Sequence, residues 1–129
     1  MKNSLKLSAA LVVGVAAGSL ATTVIAAPEE PKPAFLVVSS QAKPGADEDA
    51  LSAYREAAGP LAREAGMRML ARGEVTVLEG EWPYEGIAVE QFDSMKALLD
   101  FWYSDGYQAA KKHREGQAII HFIVAVEGN

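Results

Sequence analysis

Between Gly66 and Tyr107 two strand-like runs pass into an amphipathic helix, with only a connection bearing Gly80, Trp82 and Pro83 between the runs. The second run ends at Phe92 and the helix starts within two residues, so sheet and helix must belong to one compact unit. Met67 to Arg72 is expected as a strand; Gly73 marks a bulge or turn, and Glu74 to Leu78 resumes the alternation. A polar loop over Glu79 to Gly86 leads to a strand over Ile87 to Phe92. Asp93 or Ser94 caps the helix, whose apolar stripe is Met95, Leu98, Leu99 and Trp102. The rest of the chain has to pack on this unit.

Upstream, Ala34 to Ser40 is an apolar run expected as the first strand, and Pro44-Gly45 turns the chain. Asp47, Glu48 and Asp49 open a helix, because carboxylates in a first turn accept from free amides and complement the dipole. Leu51, Tyr54, Ala58, Leu61 and Ala65 form its stripe; Pro60 predicts a kink or a fresh helical start, and Gly66 a C-terminal cap. Downstream, Ser104-Asp105-Gly106 breaks the second helix, Tyr107 to His113 adds a turn or two, and Ala118 to Val126 is a long last strand. Strand, helix, strand, strand, helix, strand with right-handed crossovers gives an α+β, ferredoxin-like fold: a four-stranded antiparallel sheet with its helices on one face. The strands are apolar at both parities, Phe35 and Val37 against Leu36 and Val38, so the uncovered face calls for a second copy of the chain. A homodimer is expected.

With 129 residues there is room for one domain. Residues 1–26 have the parts of a secretory signal: Lys2 and Lys6, an apolar run from Leu7, and Val24-Ile25-Ala26 before a cleavage point. An uncleaved membrane anchor is the rival reading. Residues 27–33, with three prolines, suit an extended tether, which leaves residues 34–128 as the domain. Removing the leader takes two basic residues and no acidic ones, leaving ten against seventeen, a net charge of −7. That balance argues against nucleic acid and against an anionic membrane surface as partners. The chain lacks cysteine, which excludes disulfides and thiolate chemistry, and two isolated histidines offer no metal-ligand spacing. No phosphate-cradling glycine loop or nucleophile elbow is present, so no cofactor is expected.

Several segments together carry a resemblance: Tyr54 and Pro60, Gly66, Ala71-Arg72-Gly73, Val77-Leu78-Glu79-Gly80-Glu81-Trp82-Pro83, Glu90 with Phe92 and Ser94, Trp102-Tyr103-Ser104, Tyr107, and Val126-Glu127-Gly128. The chain over residues 34–128 resembles the family numbered 1330 among domains of unknown function, within the dimeric α/β-barrel superfamily. The resemblance implies two sheets facing each other across a dimer, each enclosing a small pocket. It implies no reaction, although relatives in the superfamily include cofactor-free monooxygenases, isomerases and binding proteins.

Alternation assigns the pocket residues independently. Met67, Met69 and Ala71 are expected toward the helices with Ile87 and Val89, and Ile120, Phe122 and Val124 with them. Arg68, Arg72, Glu90 and His121 then fall together on the face away from the helices. In a functional reading Glu90 and His121 move a proton, Arg72 holds a carboxylate or enolate oxygen, and Arg68 adds charge. In a structural one Arg72 pairs with Glu90 across the strands and His121 bonds a backbone carbonyl. Trp82 is either a lid over the barrel mouth or a dimer contact, and Tyr107 is core by spacing with a hydroxyl able to reach the pocket. Lys111, Lys112, His113 and Arg114 form a basic helix end. Three functions stay open: binding of a small anionic or polar-aromatic molecule, cofactor-independent monooxygenase or isomerase chemistry, and a filled, non-catalytic dimer module.

Overall fold

In the computed structural model Ala27 and residues 29–129 are described, and the expected leader over residues 1–26 lies outside them. The domain body runs from Pro31 to Asn129. Its elements are β1 (Ala34–Ala42), α1 (Glu48–Glu64), β2 (Arg68–Glu74), β3 (Gly86–Phe92), α2 (Met95–Trp102), α3 (Asp105–Lys111), a 3-10 turn (Lys112–Arg114) and β4 (Ala118–Glu127). The strands form one sheet in the order β2-β3-β1-β4, with β1 against β3, β1 against β4 and β2 against β3 all antiparallel. This is the expected α+β, ferredoxin-like sheet.

Local chemistry sets the helix limits. Asp47 caps α1 by accepting from the amides of Asp49 at 2.9 Å and Ala50 at 3.3 Å, and Gly66 follows the helix with a φ of 83°. Pro60 does not restart α1: one helix spans Glu48–Glu64 with Pro60 inside. Pro60 is exposed, so the carbonyl left without its helical donor is on the side that water can serve. Ser94 caps α2 through Ala97 N at 3.0 Å, and Ser104 both donates to Phe101 O at 2.7 Å and caps α3 through Tyr107 N at 3.2 Å. One hydroxyl thereby ends one helix and starts the next.

The core lies between the sheet and the helices. Ala34, Leu36 and Phe92 from the strands meet Ala58, Ala62, Leu98, Phe101, Tyr107 and Ala110 from the helices, with Phe92 and Leu98 essentially inaccessible. Gly128 N donates to Pro33 O at 2.7 Å, closing the end of β4 against the start of β1. The strand expected to resume over Glu74 to Leu78 does not form: β2 stops at Glu74, and residues 75–85 make an irregular strap into β3.

Register decides which side chains share a face, since directly opposed residues in an antiparallel pair point the same way. Ala34, Leu36 and Val38 oppose Phe92, Glu90 and Ala88, and Phe92 packs on Phe101 of α2 with ring centres 5.5 Å apart. Glu90, Ala88 and Phe92 therefore face the helices, and Ile87, Val89 and Gln91 face away, the reverse of the expected assignment. Each edge strand also carries one unpaired extra residue. Leu70 is skipped between Met69↔Glu90 and Ala71↔Val89, and His121 between Ser39↔Phe122 and Ser40↔Ile120. A bulge shifts the two-residue period by one, so Arg72 turns to the helix side with Ala88, while Ala71 turns away with Val89. In β4 Ile123 joins the core, and Phe122 and Val124 face away with Ser39 and Val37, again the opposite of the alternation reading.

Candidate functional site

The four polar residues expected in one cluster are divided between the two faces. Arg72 and Glu90 share the helix side, where Glu90 opposes Leu36 on one flank and Met69 on the other, and Arg72 lies one row along beside Ala88. Arg68 opposes Gln91, and its guanidinium reaches Asp93 at 3.4 Å in an exposed ion pair. His121, in the β4 bulge, belongs to the outer face with Gln41 and Phe122. The correction follows from the Leu70 bulge and from the face taken by β3.

The helix layer does not cover the whole sheet. α2 packs on β1, β3 and β4, whereas every residue from Arg68 to Glu74 is exposed. Glu90 thus sits half-buried at the margin of the core, between covered Leu36 and open Met69, which is 45% exposed. Burial raises the Glu90 carboxyl above its ordinary value, and the nearby Arg72 charge, pulling the other way, does not cancel the effect. No ion pair joins them among the described residues. A carboxyl that holds its proton more tightly than usual and a guanidinium with no hydrogen-bond partner among the described residues make a shelf that can grip an anion and exchange a proton with it.

Tyr107 is placed elsewhere. It is 4% exposed, its ring lies among Phe101 and Trp102, and its hydroxyl meets that of Tyr54 at 3.2 Å. Burial first, then this hydrogen bond, raises the Tyr54 hydroxyl above the usual tyrosine range, with Arg114 opposing. The basic helix end is packed on rings: Arg114 lies 5.3 Å from the Tyr54 ring centre and Lys111 5.7 Å from that of Trp102. A surface groove of about 390 Å³ between α1 and α2, lined by Leu61, Glu64, Ala65, Ala97, Asp100, Phe101 and Ser104, holds none of the expected site residues. Among the described residues no group of three or more His, Asp or Glu is placed to hold a metal ion, and no helix is long and apolar enough to cross a membrane.

On the outer face the strap folds over the β4 bulge. Trp82 meets Tyr84 and Phe122 edge-on, with ring centres 5.0 Å and 5.8 Å apart, and Tyr84 stacks on His121 at 4.5 Å. The His121 Nε2 lies 3.1 Å from the Gln41 side-chain oxygen. Trp82 thus lies over part of this face through its contact with Phe122. Tyr84 and Gln41 went unrecognised from sequence. Two aromatics spaced i, i+2 in a polar loop were the available signal for Tyr84, whereas Gln41 meets His121 only through the register of β1 and β4.

A family model described as a domain of unknown function, DUF1330, matches residues 33–129. No curated protein matches. Among solved structures, the methylated RPA0582 protein of Rhodopseudomonas palustris, itself of unknown function, is similar at 18% identity with a TM-score of 0.61, over 77% of this chain and 82% of that one. A hydroxynitrile lyase from Passiflora edulis is 17% identical, TM-score 0.53, over 77% of this chain and 95% of its own. SnoaB, a cofactor-independent oxygenase from Streptomyces nogalater, is 9% identical, TM-score 0.50, over 76% and 94%. At these identities the likeness is one of fold.

Proposed function

Because the chain belongs to the DUF1330 family, which fixes a fold and names no reaction, we propose a function from the site itself. The protein is an exported homodimer, its basic and apolar leader removed, that binds a small anionic or polar-aromatic molecule beside Arg72 and Glu90. The observation that carries this reading is the half-buried Glu90 carboxyl, its proton affinity raised by burial, next to a guanidinium to which it is not paired. A structural pair would be closed at hydrogen-bond distance and would lower the carboxyl instead. Arg72 supplies the planar fork for a carboxylate or enolate oxygen, and Glu90 the proton.

The dimer reading rests on the outer face. Phe35, Val37 and Val89 line it with Val124 and Val126, which are 51% and 52% exposed, and a second copy is the simplest cover.

A second reading, cofactor-independent proton chemistry of the isomerase or monooxygenase kind, is favoured by the same raised carboxyl, since a base works best when its pKa approaches the working pH. His121 lies on the other face, so within one chain the proton falls to Glu90 and oxyanion stabilisation to Arg72. The hydroxynitrile lyase and the cofactor-independent oxygenase among the similar structures support only the compatibility of this fold with such chemistry.

Native mass spectrometry of the exported protein tests these points together. A processed dimer carrying a constant extra mass, shed by Arg72→Met, is the expected result. A ligand held at full affinity by both Arg72→Met and Glu90→Gln overturns the site, a bare monomer overturns the dimer, and an intact leader overturns the export reading.

A further inference from the structure

The outer face holds one polar atom that the fold leaves unsatisfied. Among the described residues the Trp82 Nε1 is the buried side-chain nitrogen or oxygen without a hydrogen-bond partner. Buried donors are nearly always paired, and leaving one unpaired costs far more than a made bond returns, so an orphan of this kind calls for an explanation. Its edge-on neighbours, the rings of Tyr84 and Phe122, offer at most a weak N–H to ring contact, a fraction of what a true acceptor provides. Solvent does not reach the atom either, because it is buried.

The surroundings define what the missing acceptor belongs to. Trp82, Tyr84, His121 and Phe122 are flat walls, arranged edge-on or stacked. The Gln41 side-chain oxygen stands at the end of the His121 ring, 3.1 Å from Nε2. The strap that carries Trp82 and Tyr84 has no regular structure over residues 75–85, turns at Gly80 with a φ of 87°, and exposes Leu78 almost completely, 95%. Among the described residues its ties to the sheet are the ring contacts, with no hydrogen bond from residues 75–85, an arrangement that would let it lift to admit a molecule.

We propose that the strap and the β4 bulge together form a second binding site, for a planar aromatic molecule bearing a hydrogen-bond acceptor that takes the Trp82 indole N–H. The molecule slides between the strap rings and Phe122, its face against the rings and its carbonyl or carboxylate on Nε1. The site lies on the opposite side of the sheet from Arg72 and Glu90 and stands without them.

Nuclear magnetic resonance of the full chain with 2-naphthoate as the probe tests it, because the protein has two tryptophans and therefore two indole N–H signals. The titration is run in wild type and in Arg72→Met, so that an anion held at Arg72 is not mistaken for this site. In both, the Trp82 indole proton moves downfield and its exchange slows, while that of Trp102 stays; naphthalene, which lacks an acceptor, does not produce the shift. Trp82→Phe keeps a ring in the strap, removes the N–H and weakens binding about tenfold. A Trp82 indole signal that stays put at saturating naphthoate overturns the proposal without recourse to any variant. Equal affinity in Trp82→Phe and wild type overturns it too.

Discussion

The two faces of one sheet are built on different terms. On the helix side Phe92 and Leu98 are sealed in a continuous core and the polar pair Arg72 and Glu90 stands at its open margin. On the outer face the apolar residues of β1, β3 and β4 lie under an irregular strap at one end and remain open along Val124 and Val126. The first face is covered by the chain's own helices; the second is left partly open. The sealed core therefore lies on one side, and the open apolar residues and the proposed sites lie on the other side and at the margin between them.

That contrast can be broken by substitution, beginning where the effect is greatest. Phe92→Ala leaves a cavity in the sealed core and lowers the urea unfolding free energy by about 3–5 kcal/mol. Gly86→Ala places a Cβ 2.6 Å from the Gly73 carbonyl oxygen, a backbone obstacle that only movement of β2 relieves. It also disturbs the Ser39 hydroxyl bond to Gly86 O, and a loss of about 1–3 kcal/mol in the same titration is expected. Ser94→Ala removes the α2 cap and costs about 1 kcal/mol. Val124→Glu with Val126→Glu should leave the subunit's circular dichroism intact and change its own stability by about 0.5 kcal/mol per site, while sedimentation shows the dimer lost. If the pair unfolds the chain instead, the two faces are not separable.

The pH dependence sharpens the comparison at the margin. The Glu90 carboxyl is raised in the folded state, so its protonated form favours folding. Its contribution is complete below the ordinary value of 4.5 and is lost as pH climbs through the raised one. Glu90→Gln removes that decline, and the denaturation midpoint becomes flatter across the acid range. An unchanged slope would mean that Glu90 is solvated like any surface carboxylate.

Element order was legible because its signals are local: the Asp47 and Ser94 caps, Gly66 after α1, and the stripe of α2 all form as their residues dictate. Facing was not. β3 is apolar at both parities, and only the contact of Phe92 with Phe101 shows which set meets the helices. Neither bulge is announced by glycine or proline: Gly73 stays in register with Ile87, and the extra residues are Leu70 and His121. A period-two argument survives until the first bulge and inverts after it, which is how Arg72, Phe122 and Ile123 were misplaced. Arg72 and Glu90 do share a face, as alternation has them, but it is the helix side and not the one opposite, and they stand there without an ion pair among the described residues. The ring contacts of Trp82 with Tyr84 and Phe122 were not legible, because they depend on where the strap crosses β4.

The hydrogen bond from Gly128 to Pro33 has a topological consequence. Entry to and exit from the domain are hydrogen-bonded neighbours, so the two ends can be joined without spanning the fold. Joined there by a short linker and reopened in the strap near Gly80, the same sheet and helices should assemble as a circular permutant. By the same geometry the domain can be spliced into a surface loop of another protein with little strain on its host.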